Sequence, residues 1–187
     1  MQLTIPSNIW RKIMQYAQLA SPKEVTGIGL VELDPKTDDH YIVEKVFLPQ
    51  QSANEVFSKF SETGLHDIIT DVITNDINDA TKLRFRWHSH GENNVFFSAT
   101  DNADIENWKS DWVFNLVVNA KGEHCARFDQ MRPTRVRYHP VELRIDYLDG
   151  PDRTAAEQEL QRKVTFTQLP NPISPRGGGI LGYKGLF

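Results

Sequence analysis

Cysteine is almost missing from this chain. Cys125 is the only one in 187 residues, so no internal disulfide can form and nothing argues for an oxidising compartment. It stands in a strand-like segment, Glu123 to Phe128, where a buried structural thiol is the better reading than a nucleophile paired with a histidine. No stretch approaches the roughly eighteen consecutive apolar residues of a membrane span, so no membrane association is expected. Met1 to Pro6 has neither the basic region nor the long apolar run of a signal peptide, and a cytoplasmic location is expected. Positive charge is not in excess either. Lys and Arg number 21 against 25 Asp and Glu, a formal net charge of −4, and nucleic acid is not an expected partner. His-Glu-x-x-His is absent, as is a Pro-Cys-x-x-Cys after any histidine motif, which excludes two common zinc-enzyme layouts. No internal repeat is visible. Hydrophobic residues at 39% and charged ones at 25% are ordinary for one globular domain.

What is present is concentrated at Trp87-His88-Ser89-His90, followed after seven residues by Ser98 and then Asp101. His88 and His90 are two apart at the end of a run that reads as a strand, so both rings leave the same face. Leu83, Phe85 and Trp87 are apolar while Arg84, Arg86 and His88 are not, so that face points away from the core. Asp101 lies just past Ser98-Ala99-Thr100, a polar cluster that opens a short helical pattern from Asp101 to Trp108. A carboxylate there can reach back to a cation held by the imidazoles. Two nitrogens and one oxygen leave a tetrahedral zinc one open position, which is the catalytic rather than the structural arrangement.

The pattern His-Ser-His, seven residues, Ser, two residues, Asp resembles the JAMM (MPN-plus) zinc metallopeptidase motif at every position. That family also carries a glutamate far upstream, at the start of a strand after the first helix, often with a glycine three residues later. Glu24-Val25-Thr26-Gly27 stands in that place. The motifs cover residues 24 to 101, and the order of elements extends the resemblance to about residue 147. It implies an α/β fold, the MPN domain, with a mixed sheet packed by helices in an α-β-α arrangement akin to the cytidine deaminases. It also implies that His88, His90 and Asp101 ligate Zn2+, with the fourth position open for water. Glu24 is then the general base and acid, and Ser98 donates a hydrogen bond to the oxyanion of a tetrahedral intermediate. Ser89 faces the other way on its strand and braces the sheet, and Thr100 reads as the cap of the following helix. The compact core, without the second-zinc insertion of lysine-63-selective eukaryotic members, is most similar to prokaryotic or viral members.

The function implied by that resemblance is hydrolysis of the peptide or isopeptide bond after the C-terminal Gly-Gly of ubiquitin or a ubiquitin-like protein. The ubiquitin-like protein or its conjugates would be the substrate, and proteins of a conjugation system the partners. Two alternatives stand beside it. One is a processing peptidase that trims a ubiquitin-like precursor or releases a sulfur-carrier adduct. The other is an MPN scaffold that works by assembly with partner proteins; such members usually lack part of the metal set, which this chain retains.

The remaining segments place these residues. Ile9, Trp10, Ile13, Met14, Ala17 and Ala20 give an amphipathic helix over Asn8 to Ala20, with Ser7 as its cap. A strand from Val25 to Leu33 carries Gly27 and Gly29, which suggest close approach by a helix or by substrate. It forms a hairpin with Tyr41 to Leu48, and His40 reads as an exposed loop residue. Ser52 to Phe60 supports no assignment. Leu65, Ile68, Ile69, Val72, Ile73 and Ile77 mark a second amphipathic helix, and Val95, Phe96 and Phe97 read as anchors of the loop after the histidines. Strands follow at Trp112 to Val118, Glu123 to Asp129 and Val141 to Tyr147. Arg127, Arg132, Arg135 and Arg137 form either a solvated strand edge or a docking patch for an acidic partner. Residues 1–150 are expected to form the metallopeptidase domain and 151–187 a C-terminal extension. That extension reads as a surface helix, Thr154 to Lys163, then a tail from residue 165 with three prolines and five glycines. Arg176-Gly177-Gly178-Gly179 in the tail resembles the cleavable end of a ubiquitin-like protein; a flexible tail is the expected reading, and a substrate mimic lying in the active-site groove is the alternative.

Overall fold

Ile9, Ile13, Met14, Tyr16, Ala17 and Ala20 fall at helical spacing and are all buried on one face of α1 (Ser7–Ala20). In the computed structural model, which describes residues 1–146 and 153–167, that face packs against one side of a large sheet. The strands, in chain order, are β1 (Gln2–Pro6), β2 (Thr26–Leu33), β3 (His40–Phe47), β4 (Gln51–Ala53), β5 (Ser58–Phe60) and β6 (Phe85–Ser89). They continue with β7 (Trp112–Val118), β8 (His124–Gln130), β9 (Val136–Tyr138), β10 (Glu142–Asp146) and β11 (Val164–Phe166). The other helices are α2 (Glu62–Asn75), α3 (Ala99–Glu106) and α4 (Arg153–Lys163), with a 3-10 turn over Ile77–Lys82. The main sheet runs β10-β1-β3-β2-β6-β7-β8-β9, and β11-β4-β5 form a small second sheet. The main sheet is mixed: β6 pairs antiparallel with β2 and parallel with β7. This is the α/β arrangement expected of an MPN domain, and it puts β6 near the middle of the sheet. Among the described residues, no helix is long and apolar enough to cross a membrane.

The two faces differ. On the α1 side, Trp87, Phe85, Phe114 and Leu116 join the helix in one core, and Tyr16 stacks on Trp87 with centroids 6.0 Å apart. On the other side, Ile68 and Val72 of α2 cover Ile28, Leu30 and Phe47. The expected apolar face of α2 is only half used: Ile69, Ile73 and Ile77 are 37%, 41% and 64% exposed. The helix stops at Asn75 because Asp76 caps the 3-10 turn, accepting from the Asn78 amide at 2.9 Å, so Ile77 leaves the helical face.

Several sequence expectations are revised by packing. Ser7 is the first residue of α1, whose cap position is Pro6. His40 is not a loose loop residue but opens β3, bonded to Thr4 Oγ1 at 2.8 Å and 3.3 Å from the Asp34 carboxylate. Gly27 is pressed by its neighbours in the sheet rather than by a ligand: a Cβ there would collide with the Trp87 indole and the Phe47 carbonyl. Each of the four arginines of the suggested docking patch has a carboxylate partner: Arg127 and Arg137 meet Asp129, Arg135 meets Glu106 and Arg132 meets Asp111.

The C-terminal part is more integrated than its composition suggests. Leu160 of α4 is 4% exposed within the core that α1 builds. The Tyr16 hydroxyl donates to Glu159, and Lys12 lies 3.4 Å from the same carboxylate. The segment read as the start of a tail is β11, which pairs in parallel with β4; a three-residue strand is too short to show a period. Tyr147 and the glycine-rich stretch Arg176 to Gly179 lie outside the described residues.

Candidate metal centre

Phe85 and Trp87 bury their rings on the core side of β6, which leaves Arg86 and His88 on the opposite side. His90 follows the end of the strand, and Gly91, at φ +54, turns the chain there. No other residue would fit that turn, since a Cβ on Gly91 would strike the Pro22 carbonyl. Across from the histidines, α3 begins with a reciprocal cap. Ser98 Oγ accepts from the Asp101 amide at 3.2 Å, and Asp101 Oδ2 accepts from the Ser98 amide at 2.7 Å. Ser98, not Thr100, is therefore the cap, and the cap fixes the rotamer of Asp101.

Donor atoms of three residues converge at this point. His88 Nε2 and His90 Nε2 are 3.1 Å apart. His88 Nε2 lies 3.2 Å from Asp101 Oδ1, and His90 Nε2 lies 3.7 Å from Asp101 Oδ2. Tetrahedral zinc with bonds of about 2.0–2.2 Å sets neighbouring donors roughly 3.3–3.6 Å apart. The separations of 3.1, 3.2 and 3.7 Å lie on either side of that range and within a few tenths of an ångström of it, so these residues fit such an ion, and among the described residues they form a group that could hold one. The tautomer of His90 suits the role: its Nδ1 sits 2.9 Å from the Asn94 carbonyl, which makes Nδ1 the donor and leaves the Nε2 lone pair free.

The electrostatics are those of a tightly coupled cluster. Burial raises the Asp101 carboxyl, but hydrogen bonds from His88 and His90 outweigh it and hold the carboxyl far below its usual range. Burial lowers His88, and Asp101 only partly offsets that. Burial also opposes protonation of His90, yet Asp101, the Asn94 carbonyl and Glu24 together raise it.

Glu24 stands two residues before the start of β2, and its position is set by three successive amides. Its own N–H donates to the Asn54 carbonyl at 2.7 Å. The Val25 amide donates to Ser89 Oγ at 3.0 Å, and the Thr26 amide to Gln51 Oε1 at 2.9 Å. Ser89 does brace the sheet, at the strand mouth beside Glu24. Burial raises the Glu24 carboxyl to about 7, with His90 lowering it and Asp101 adding to the rise.

Glu24, His88, His90, Ser98 and Asp101 all line one cleft of about 680 Å³. One wall was not legible from the sequence: the unassigned stretch after Ser52 is the β4–β5 hairpin, whose residues 55–60 border the cleft. Its turn is held by Asn54 Oδ1, which accepts from the Val56 and Phe57 amides at 2.9 and 3.1 Å. An Asn shortly before two apolar residues, Asn54-Glu55-Val56-Phe57, was the only available signal. On the facing wall, Phe96 is 54% exposed and meets His90 edge-on at 5.1 Å, so it is wall rather than anchor. Phe97 is the anchor, stacked against Arg127. Burial pushes the Cys125 thiol up to about 11, which disfavours the thiolate that a nucleophile needs.

Residues 6–140 match the family described as prokaryotic homologs of the JAB domain. Among solved structures, the chain is similar to the solution structure of protein DSY2949 from Desulfitobacterium hafniense. Identity is 16%, the TM-score is 0.48, and the match covers 79% of this chain and 96% of that one. No curated protein matches.

Proposed function

The chain belongs to the prokaryotic homologs of the JAB domain, and from that premise we propose that it is a zinc-dependent peptidase. Its substrate bond in this reading is the peptide or isopeptide bond after the C-terminal Gly-Gly of a ubiquitin-like protein. The observation that carries the metal chemistry is the donor triangle of His88, His90 and Asp101, with Glu24 and Ser98 on the same cleft. Zinc bound there supplies Lewis acidity and makes water acidic enough to react at neutral pH.

The chain's own residues supply the rest. Glu24, with a proton affinity near neutrality, takes a proton from the attacking water and returns it to the departing amine. Ser98 spends a lone pair on the Asp101 amide, and its hydroxyl proton is left to donate to the oxygen that becomes negative. β5 is an edge of the small sheet and borders the cleft, so an extended peptide laid along it gains main-chain hydrogen bonds. Val56, Phe57 and Phe96 offer exposed apolar contacts around the cleft. The choice of Gly-Gly as the site of cleavage rests on the family premise.

The test is incubation of the purified protein with ubiquitin-like fusions and lysine-linked conjugates, scored by mass spectrometry. Cleavage after Gly-Gly that stops on chelation and resumes with zinc is expected. Cleavage of precursor fusions alone would restrict the activity to processing. A folded, zinc-loaded protein that cuts nothing in the panel would overturn the substrate assignment.

A further inference from the structure

α3 carries Asp101, yet it has little apolar surface to hold it down: Ile105 is its one buried residue among those described. The sheet beneath is polar. Register sets Arg86, Asn115 and Arg127 side by side on β6, β7 and β8, and Asp129 follows two residues along on the same face. Asn115, Arg127 and Asp129 are all buried.

Arg127 is fixed from behind. Its Nε donates to Asp129 Oδ2 at 2.7 Å, while Asp129 also accepts from Asn115 at 2.9 Å and from Arg137 at 3.1 Å. In front, Arg127 Nη1 donates to Asn102 Oδ1 at 2.7 Å. The guanidinium also lies 4.1 Å from the centroid of the Phe97 ring. Asn102 in turn donates to the Ser98 carbonyl at 2.8 Å. Phe97 and Asn102 flank Ser98 and Asp101 in the chain, so one guanidinium grips the capping turn from both sides. A buried ion pair is poor evidence for stability, because desolvation offsets most of its attraction. Its value at this place is directional.

We propose that Arg127 and Asn102 are positioning residues for the metal centre: Arg127, locked by Asp129, holds Phe97 and Asn102 and thereby fixes the Asp101 carboxylate against the two histidines. The inference rests on the metal reading given above. Contacts of this kind, one step outside the ligands, are typically worth about 10- to 100-fold in metal affinity.

Two substitutions in the full chain test it. Asn102→Ala leaves the Arg127–Asp129 pair intact, and Arg127→Lys keeps the charge but loses the forked geometry. The measurements are hydrogen exchange over residues 97–106 in chelated protein, the zinc dissociation constant by chelator competition, and Tm. Faster exchange confined to 97–106, with zinc bound about 10- to 100-fold more weakly and little change in Tm, is the expected result. Unchanged exchange overturns the proposal. So does faster exchange with undiminished zinc affinity, since the contacts would then be structural only. If the unsubstituted protein binds no zinc, the metal reading fails and the proposal falls with it; in the two preceding outcomes the unsubstituted protein still binds zinc.

Discussion

Asp101 serves two structures at once. One carboxylate oxygen closes the cap on the Ser98 amide, and the other faces His88. Asp101→Asn keeps an oxygen for the cap but removes the charge, whereas Asp101→Ala loses both. Both variants should lose zinc, and only the alanine should lose in addition the roughly 0.5–2 kcal/mol typical of a cap; metal content and chemical denaturation separate the two effects. Glu24 makes the sharper case. In the proposed role, Glu24→Gln keeps zinc and fold while turnover drops by about 10² to 10⁴. Its burial also gives a pH signature. A carboxyl raised to about 7 in the folded chain stabilises fully below its unfolded pKa of about 4.3, and that contribution is lost as pH rises through about 7. Glutamine does not ionise. In chelated protein the Tm of Glu24→Gln should therefore match the parent near pH 4 and exceed it at pH 8, the gap opening between those limits. Parallel Tm profiles would contradict the burial of this carboxyl.

At the scale of elements, α3 and the β4–β5 hairpin show what a sequence can and cannot reveal. The spacing Ser98-x-x-Asp101 is that of a capping box, yet the sequence reading gave the cap to Thr100. Thr100 is an equally good capping residue two positions on, and only the fold tells them apart. The β4–β5 hairpin was not legible. Its strands are three residues each and polar at their centres, and it is held by Gln51 and Asn54 bonding to main chain around Glu24. Those partners are distant in sequence, so no local period marks them. The same logic sets the outcome of Ser98→Ala. Loss of the cap costs about 1 kcal/mol, and loss of the oxyanion donor lowers turnover about 10² to 10³, with zinc retained. A variant with full turnover would remove Ser98 from the mechanism while leaving it as a cap. Gly91→Ala should fail differently, because its φ of +54 and the Pro22 carbonyl leave no room; lowered Tm with weakened zinc binding is expected, since His90 immediately precedes it.

Over the whole molecule, the alternation of β6 and the spacing of α1 were enough to orient the histidines away from the core, and the motif joined Asp101 to them. What sequence reading underestimated was the reach of the main chain after β10. α4 has few apolar residues, yet Leu160 and Glu159 tie it to α1, and β11 covers an edge of β4. A chain ending at residue 150 should therefore melt lower than one ending at residue 167. The shorter chain loses the burial of a leucine, a change on the scale of the 2–5 kcal/mol of core Leu→Ala. It should also cleave more slowly, because β4 anchors the cleft wall; equal Tm values would show that the extension is dispensable. The central claim is the metal centre itself, and it is tested most directly by a zinc-edge anomalous difference map from crystals of protein purified without chelator. The account predicts one peak per chain, about 2.0–2.2 Å from His88 Nε2, His90 Nε2 and an Asp101 oxygen, absent from His90→Ala crystals. A zinc peak held by other residues, or one that persists in His90→Ala, would contradict it.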